Sequence, residues 1–133
     1  MSRISFLKPQ VDDWHEGLVE MEATAKDTAK VLMFVIDNCT RAIASILEST
    51  EYICIGRMVS LVVLGDLQPG QEIDGEKIGP REAKDLNRAR RYLRDVAKRH
   101  GVEVHNDVNS ALLNIKELLE EDANLCSSME LNM

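Results

Sequence analysis

Six consecutive apolar residues, Val31-Leu-Met-Phe-Val-Ile36, closed by Asp37-Asn38, and a second, mostly apolar segment from Met58 to Leu64, unbroken from Leu61 to Leu64, constrain this chain more than anything else in it. A strand with one wet face alternates apolar and polar residues, so a short unbroken run stopped by turn formers reads as a strand covered on both faces. Strands of that kind belong to parallel sheets, and parallel neighbours need a crossover between them. The intervening segment supplies one. Thr40 is placed to cap a helix from Arg41 to about Ile55, with Ile43, Ile46 or Leu47, Thr50 and Ile53 or Cys54 facing inward and Gly56 ending it.

The same alternation continues on either side. Ile4 to Leu7 reads as a short strand stopped by Pro9, and a helical pattern runs from about Trp14 to Ala29. Gly65 to Pro80 reads as a long loop of the kind that covers functional sites. Pro80 suits the first turn of a helix reaching His100, and Gly101 suits its end. A short strand at Val102 to Val104 or His105 follows, then a helix capped by Asn106 or Asp107, with Val108, Leu112, Ile115 and Leu118 or Leu119 on one face. The expected fold is therefore α/β: a three-layer αβα arrangement with a mostly parallel sheet, flavodoxin-like or Rossmann-like, of about four strands and four helices. Residues 1–122 are expected to form one domain, and residues 123–133 a frayed tail.

Composition narrows the function classes. The 133 residues are 44% hydrophobic and 29% charged, enough to bury a core without disulfides or metals. The longest apolar runs are too short to span a bilayer, so no membrane partner is expected. A net charge of −7 argues against nucleic acid. Three widely spaced cysteines, Cys39, Cys54 and Cys126, fit reduced thiols and a cytoplasmic location. His15, His100 and His105 share no ligand spacing, and the glycine-rich loop lacks a phosphate-binding pattern, so neither a metal nor a cofactor is expected. Arg81, Lys84, Arg88, Arg91 and Lys98 fall near one face of the long helix, a solvated stripe that the acidic end, Glu117, Glu120, Glu121 and Asp122, is able to meet in a second subunit.

In open parallel sheets ligands bind at the carboxyl ends of the strands. That rule singles out Asp12 and Asp13 after the first strand and Asp37 and Asn38 after the second as substrate-binding candidates. Trp14, beside the first pair, is placed either to stack on a base or sugar or to lock its loop to the core.

A carboxylate with chemical promise lies in the crossover helix. The stretch Thr40-Arg-Ala-Ile-Ala-Ser-Ile-Leu-Glu48, followed by Gly56, Arg57 and the apolar run to Val63, resembles the nucleoside 2-deoxyribosyltransferase family. The segments Pro9 to Trp14, Phe34 to Arg41 and Asp85 to Leu93 look like a branch of that family that includes the Raw-type animal proteins. The resemblance implies that Glu48 is the nucleophile of a base exchange or N-glycosidic cleavage on deoxyribonucleosides or their monophosphates, with Glu22 as the second acid. It also implies self-association, since relatives complete their sites across interfaces. Relative to the family, the chain starts at what would be the second strand, and Ala42 stands where many members carry an aspartate or serine. Ile4 to Leu7 is thus expected to pair directly with Val31 to Ile36, or to leave a gap that another chain or a longer parent protein fills. The alternative is a non-catalytic descendant that serves as an interaction or regulatory module.

Overall fold

The computed structural model describes residues 28–131, and the residues from Val31 onward form one compact unit. Its elements, in chain order, are β1 (Val31–Ile36), α1 (Ile43–Cys54), β2 (Met58–Val63), β3 (Glu72–Ile73), β4 (Glu76–Lys77), α2 (Pro80–Arg99), β5 (Val104–His105) and α3 (Val108–Leu131). The expected strand at Ile4 to Leu7 and the helix from Trp14 lie outside the described residues.

The two apolar runs pair as parallel neighbours along their whole length, Val31 opposite Met58 through to Ile36 opposite Val63. β5 adds to the other side of β2 through Leu61 opposite Val104 and Val62 opposite His105, also parallel, so the order is β1-β2-β5. The mostly apolar make-up of β2 follows from this central place: every residue from Val59 to Val63 is buried. Successive side chains of a strand point to opposite faces. Leu61 stands on the side where its neighbour Phe34 stacks on Tyr52 of α1, whereas Ser60 turns to the other side and donates a hydrogen bond to the carbonyl of Ala111 in α3 at 3.1 Å. α1 and α2 therefore share one layer and α3 forms the other, giving the expected three-layer architecture.

Helix boundaries depart from expectation at one end. α1 starts at Ile43 rather than Arg41, its N-cap is Ala42 in a left-handed conformation (φ 56°), and no side chain caps it. Thr40 donates its hydroxyl to Asp37 instead, so it closes the strand-to-helix loop and caps no helix. The buried stripe of α1 is Ile46, Ser49 and Ile53, while Ile43, Leu47 and Cys54 are exposed. The phase of the helix is set by the sheet beneath it, and that phase carries the outer apolar residues into solvent.

Pro80 opens α2 as expected, and Gly101 follows its end at φ 71°. In that left-handed conformation the chain turns so that the Val102 amide bonds back to Ala97 at 2.8 Å, which costs a glycine little and any other residue more. Asp107 caps α3 through the Ser110 amide at 2.8 Å, and this helix continues past Asp122 to Leu131.

The loop from Gly65 to Pro80 is more ordered than its composition implied. It holds the β3–β4 hairpin, turned at Asp74-Gly75 with both residues at positive φ, the pairing a two-residue hairpin turn requires. Leu67, Ile73 and Ile78 bury themselves with Ala83 and Leu86 of α2 into a small satellite core. Asn87 holds Leu67 by both backbone groups, each at 2.9 Å.

Candidate functional site

The carboxyl ends of β1 and β2 carry the candidate site, and the loop Asp37–Ala42 is its floor. Asp37 Oδ1 accepts three hydrogen bonds, from the Cys39 amide (2.9 Å), the Thr40 amide (2.8 Å) and the Thr40 hydroxyl (2.9 Å). Burial pushes the Asp37 carboxyl up. The bonds from Cys39 and Thr40, with the charge of Arg90, outweigh that and hold it below the ordinary aspartate value. A side chain so engaged builds the loop first.

Arg90 is what the loop is folded around. It is fully buried in α2, and its Nη2 donates to the carbonyls of Asp37 (2.8 Å) and Thr40 (3.0 Å), while Nη1 reaches Leu86 (3.1 Å) and, more loosely, Arg41 (3.5 Å). Its buried Nε has no hydrogen-bond partner among the described residues. Burial lowers the Arg90 pKa, opposed by the neighbouring charge of Asp37. A planar guanidinium with several donors suits this task, because one group can gather carbonyls that belong to different residues.

Two further ties fasten the loop. Arg41 Nε pairs with Glu82 in the first turn of α2 at 2.6 Å, and its Nη1 lies 3.7 Å from Asp74 at the hairpin tip. Gln71 Nε2 donates to the Asn38 carbonyl at 2.6 Å. Through these contacts the hairpin segment, α2 and the β1–α1 loop form one assembly at the strand ends.

Of the sequence candidates, Asp37 and Asn38 sit side by side and half-buried at the end of β1. The Asn38 amide nitrogen lies beside Gly65 at the end of β2, close enough that a Cβ there would stand 3.7 Å from it. Glu48 is half-buried in the second turn of α1. Six residues beyond Ala42, it lies about 9 Å down the helix axis from the loop. It shares a flank of the helix with Tyr52, one turn further on, whose ring stacks on Phe34 of β1 and carries the Arg57 guanidinium at 5.5 Å. Glu22, Asp12, Asp13 and Trp14 lie outside the described residues.

Two surface concavities lie elsewhere. One of about 550 Å³ is lined by Arg94, Lys98, Gly101, Val102, Glu103, Val104 and Asn106, at the β5 end of the sheet. The other, about 340 Å³, is lined by Arg88, Arg91, Tyr92 and Asp95 on the outer face of α2. Among the described residues no cluster of three or more histidine, cysteine or acidic side chains is suited to a metal ion, and no helix is long and apolar enough to cross a membrane.

Arg90, Arg41, Gln71 and Asn87 were not singled out from sequence. Arg90 nevertheless had a signal: Ala83, Leu86, Arg90, Leu93 and Ala97 recur at three- and four-residue spacing, which puts the arginine in the middle of the buried stripe.

Residues 1–65 match the protein family described as nucleoside 2-deoxyribosyltransferase like. This stretch contains Glu22, the Asp37–Ala42 loop, Glu48 and β2. No curated protein and no solved structure matches the chain significantly.

Proposed function

We propose, on the premise that the match of residues 1–65 to the nucleoside 2-deoxyribosyltransferase-like family reflects membership, that the protein acts on the N-glycosidic bond of a deoxyribonucleoside, with Glu48 as nucleophile. The family match over the segment that holds both acids is the observation that carries the proposal. It is supported by the partial burial of Glu48 on the helix that leaves the end of β1.

In this reaction a Glu48 carboxylate oxygen attacks the anomeric carbon of the sugar. The bond from that carbon to the base nitrogen breaks, and the base leaves with a proton supplied by Glu22 acting as an acid. A sugar ester remains on Glu48. The nitrogen of a second base then attacks the same carbon, its proton returning to Glu22, and the ester bond breaks to regenerate the carboxylate. Water in place of the second base gives hydrolysis. Two displacements through a carboxylate ester retain configuration, as in retaining glycosidases.

Asn38, with an amide beside the open Gly65, is the strand-end residue we assign to substrate, and Asp37 contributes by fixing the loop. Asp12, Asp13 and Trp14 belong to the same proposed substrate set. Incubating the protein with deoxynucleosides and a free base, with products separated by chromatography, is the test. Exchange that disappears in Glu48→Gln while the circular dichroism spectrum is unchanged supports the assignment. Exchange that survives the substitution refutes the nucleophile.

A second reading has its own observation. Asp37 is taken up by three loop donors, and neither surface concavity involves Asp37, Asn38 or Glu48. These features favour a non-catalytic module that keeps the fold, and absence of turnover on every deoxynucleoside tried assigns the protein to it.

A further inference from the structure

The solvent face of α2 is basic on a chain whose net charge is −7, and none of the charge on that face is used at the candidate site. Lys84 and Arg88 are exposed, and Tyr92, one turn further along the same row, is 63% exposed. On the far side of the sheet, α3 carries a matching row at the same four-residue spacing: Leu113, 65% exposed, followed by Glu117 and Glu121, both exposed. Lys84, Arg88, Glu117 and Glu121 form no ion pair among the described residues.

We propose that α2 of one copy docks antiparallel against α3 of the next, with Tyr92 on Leu113, Arg88 on Glu117 and Lys84 on Glu121. Rows of residues four apart are the ridges by which helices interdigitate. Three pairs at this spacing cover roughly 12 Å of each helix. The antiparallel register brings apolar to apolar and opposite charge to opposite charge at all three levels. A parallel one with Tyr92 on Leu125 sets Arg88 on Glu121 and Lys84 on Glu117. The paired reversals at Arg88 and Glu117 below tell the two apart, because those two residues face each other only in the antiparallel arrangement. A parallel register with Tyr92 on Leu113 sets Arg88 against Asn109 and Glu117 against Val96, with no charge pair. The concavity of about 340 Å³ beside Tyr92, bounded by Arg88, Arg91 and Asp95, gives the leucine a seat.

The two surfaces lie on opposite faces of the sheet, since Phe34 and Leu61 face α1 and its layer mate α2 while Ser60 faces α3. A pair of copies therefore cannot satisfy both contacts about one twofold axis. The contact is head-to-tail, and it propagates into an open chain or closes into a ring. The association does not depend on the chemistry at Glu48.

Sedimentation velocity of the full chain over a range of concentrations tests this. At low salt the average mass is expected to rise beyond that of a dimer, and to fall to the monomer value at about 0.5 M sodium chloride. Arg88→Glu and Glu117→Arg are each expected to weaken association by about tenfold or more, as like charges then face one another. The decisive sample is their equimolar mixture, in which each variant offers the other an opposite charge at both contacts, so association returns. Both substitutions are at exposed positions, and circular dichroism checks that each variant folds. A chain that stays monomeric at every concentration overturns the proposal, as does association that neither reversal weakens or a mixture that fails to restore it. A monomer that binds a single-stranded oligodeoxynucleotide through Arg88 also overturns it and gives the basic face to nucleic acid.

Discussion

Replacing Arg90 with methionine removes the guanidinium but keeps an unbranched apolar stem of similar reach. The carbonyls of Asp37 and Thr40 then lose the donor that Nη2 provides at 2.8 and 3.0 Å. The Leu86 carbonyl lies inside α2 and has the helix ladder to fall back on. Leaving a buried acceptor unsatisfied costs about 1–3 kcal/mol, and two of them set a gross loss of about 2–6 kcal/mol. Burying a guanidinium is itself costly, so its removal returns part of this, and the net loss is expected near 3 kcal/mol. That is roughly a hundredfold in the unfolding equilibrium. It is a large share of the about 5–15 kcal/mol that holds a domain together.

Urea unfolding at pH 7, followed by far-UV circular dichroism, measures the loss. Arg90→Lys is the internal control: it keeps the charge, but a single ammonium cannot span the loop carbonyls on one side and Leu86 on the other, so an intermediate cost is expected. Amide exchange adds the location. Cys39 and Thr40 should lose protection in Arg90→Met by more than residues 59–63 of β2 do, because the loop opens before the sheet. If Arg90→Met is within about 1 kcal/mol of the wild type and the loop amides stay protected, the guanidinium does not organise the site and the loop is held by other means.

Asp37 gives a pH signature. Its folded-state pKa lies below the unfolded value of 3.8, so its contribution to stability is fully present above that pH and is lost as pH falls through the folded value. The stability gap between the wild type and Asp37→Asn, measured in urea at pH 7 and again at pH 3, should therefore shrink at the lower pH. A gap that is the same at both values removes the role given to the carboxylate. Ala42 holds a left-handed conformation at φ 56°, which a Cβ penalises, so Ala42→Gly should raise stability by about 0.5–1 kcal/mol in the same assay, and Ala42→Val should lower it. Destabilisation by the glycine would show that the alanine methyl has a packing role greater than its backbone strain.

The regular elements were legible in the sequence because their causes are local. Val31–Ile36 is the strand that its six apolar residues describe, Met58–Val63 ends within a residue of its run, and α2 lies between Pro80 and Gly101 as those two residues dictate. Parallel pairing was legible too, since two predominantly apolar segments separated by a helical one have few other solutions. The hairpin at Asp74-Gly75 carried a readable turn signal that the surrounding glycines and prolines obscured.

The chemistry at the strand end was a tertiary decision. Asp37 stands at the end of β1 in any reading of the sequence. That its carboxylate is turned back onto Cys39 and Thr40, and that their loop closes on an arginine some fifty residues away, depends on where α2 comes to lie. Helical spacing alone placed Arg90 on an apolar face. Composition made it one more cation beside Arg88 and Arg91, and only the carbonyls presented by another segment make its burial affordable. Local sequence sets the period of an element, whereas the partners that satisfy a buried charge come from parts of the chain that meet only on folding.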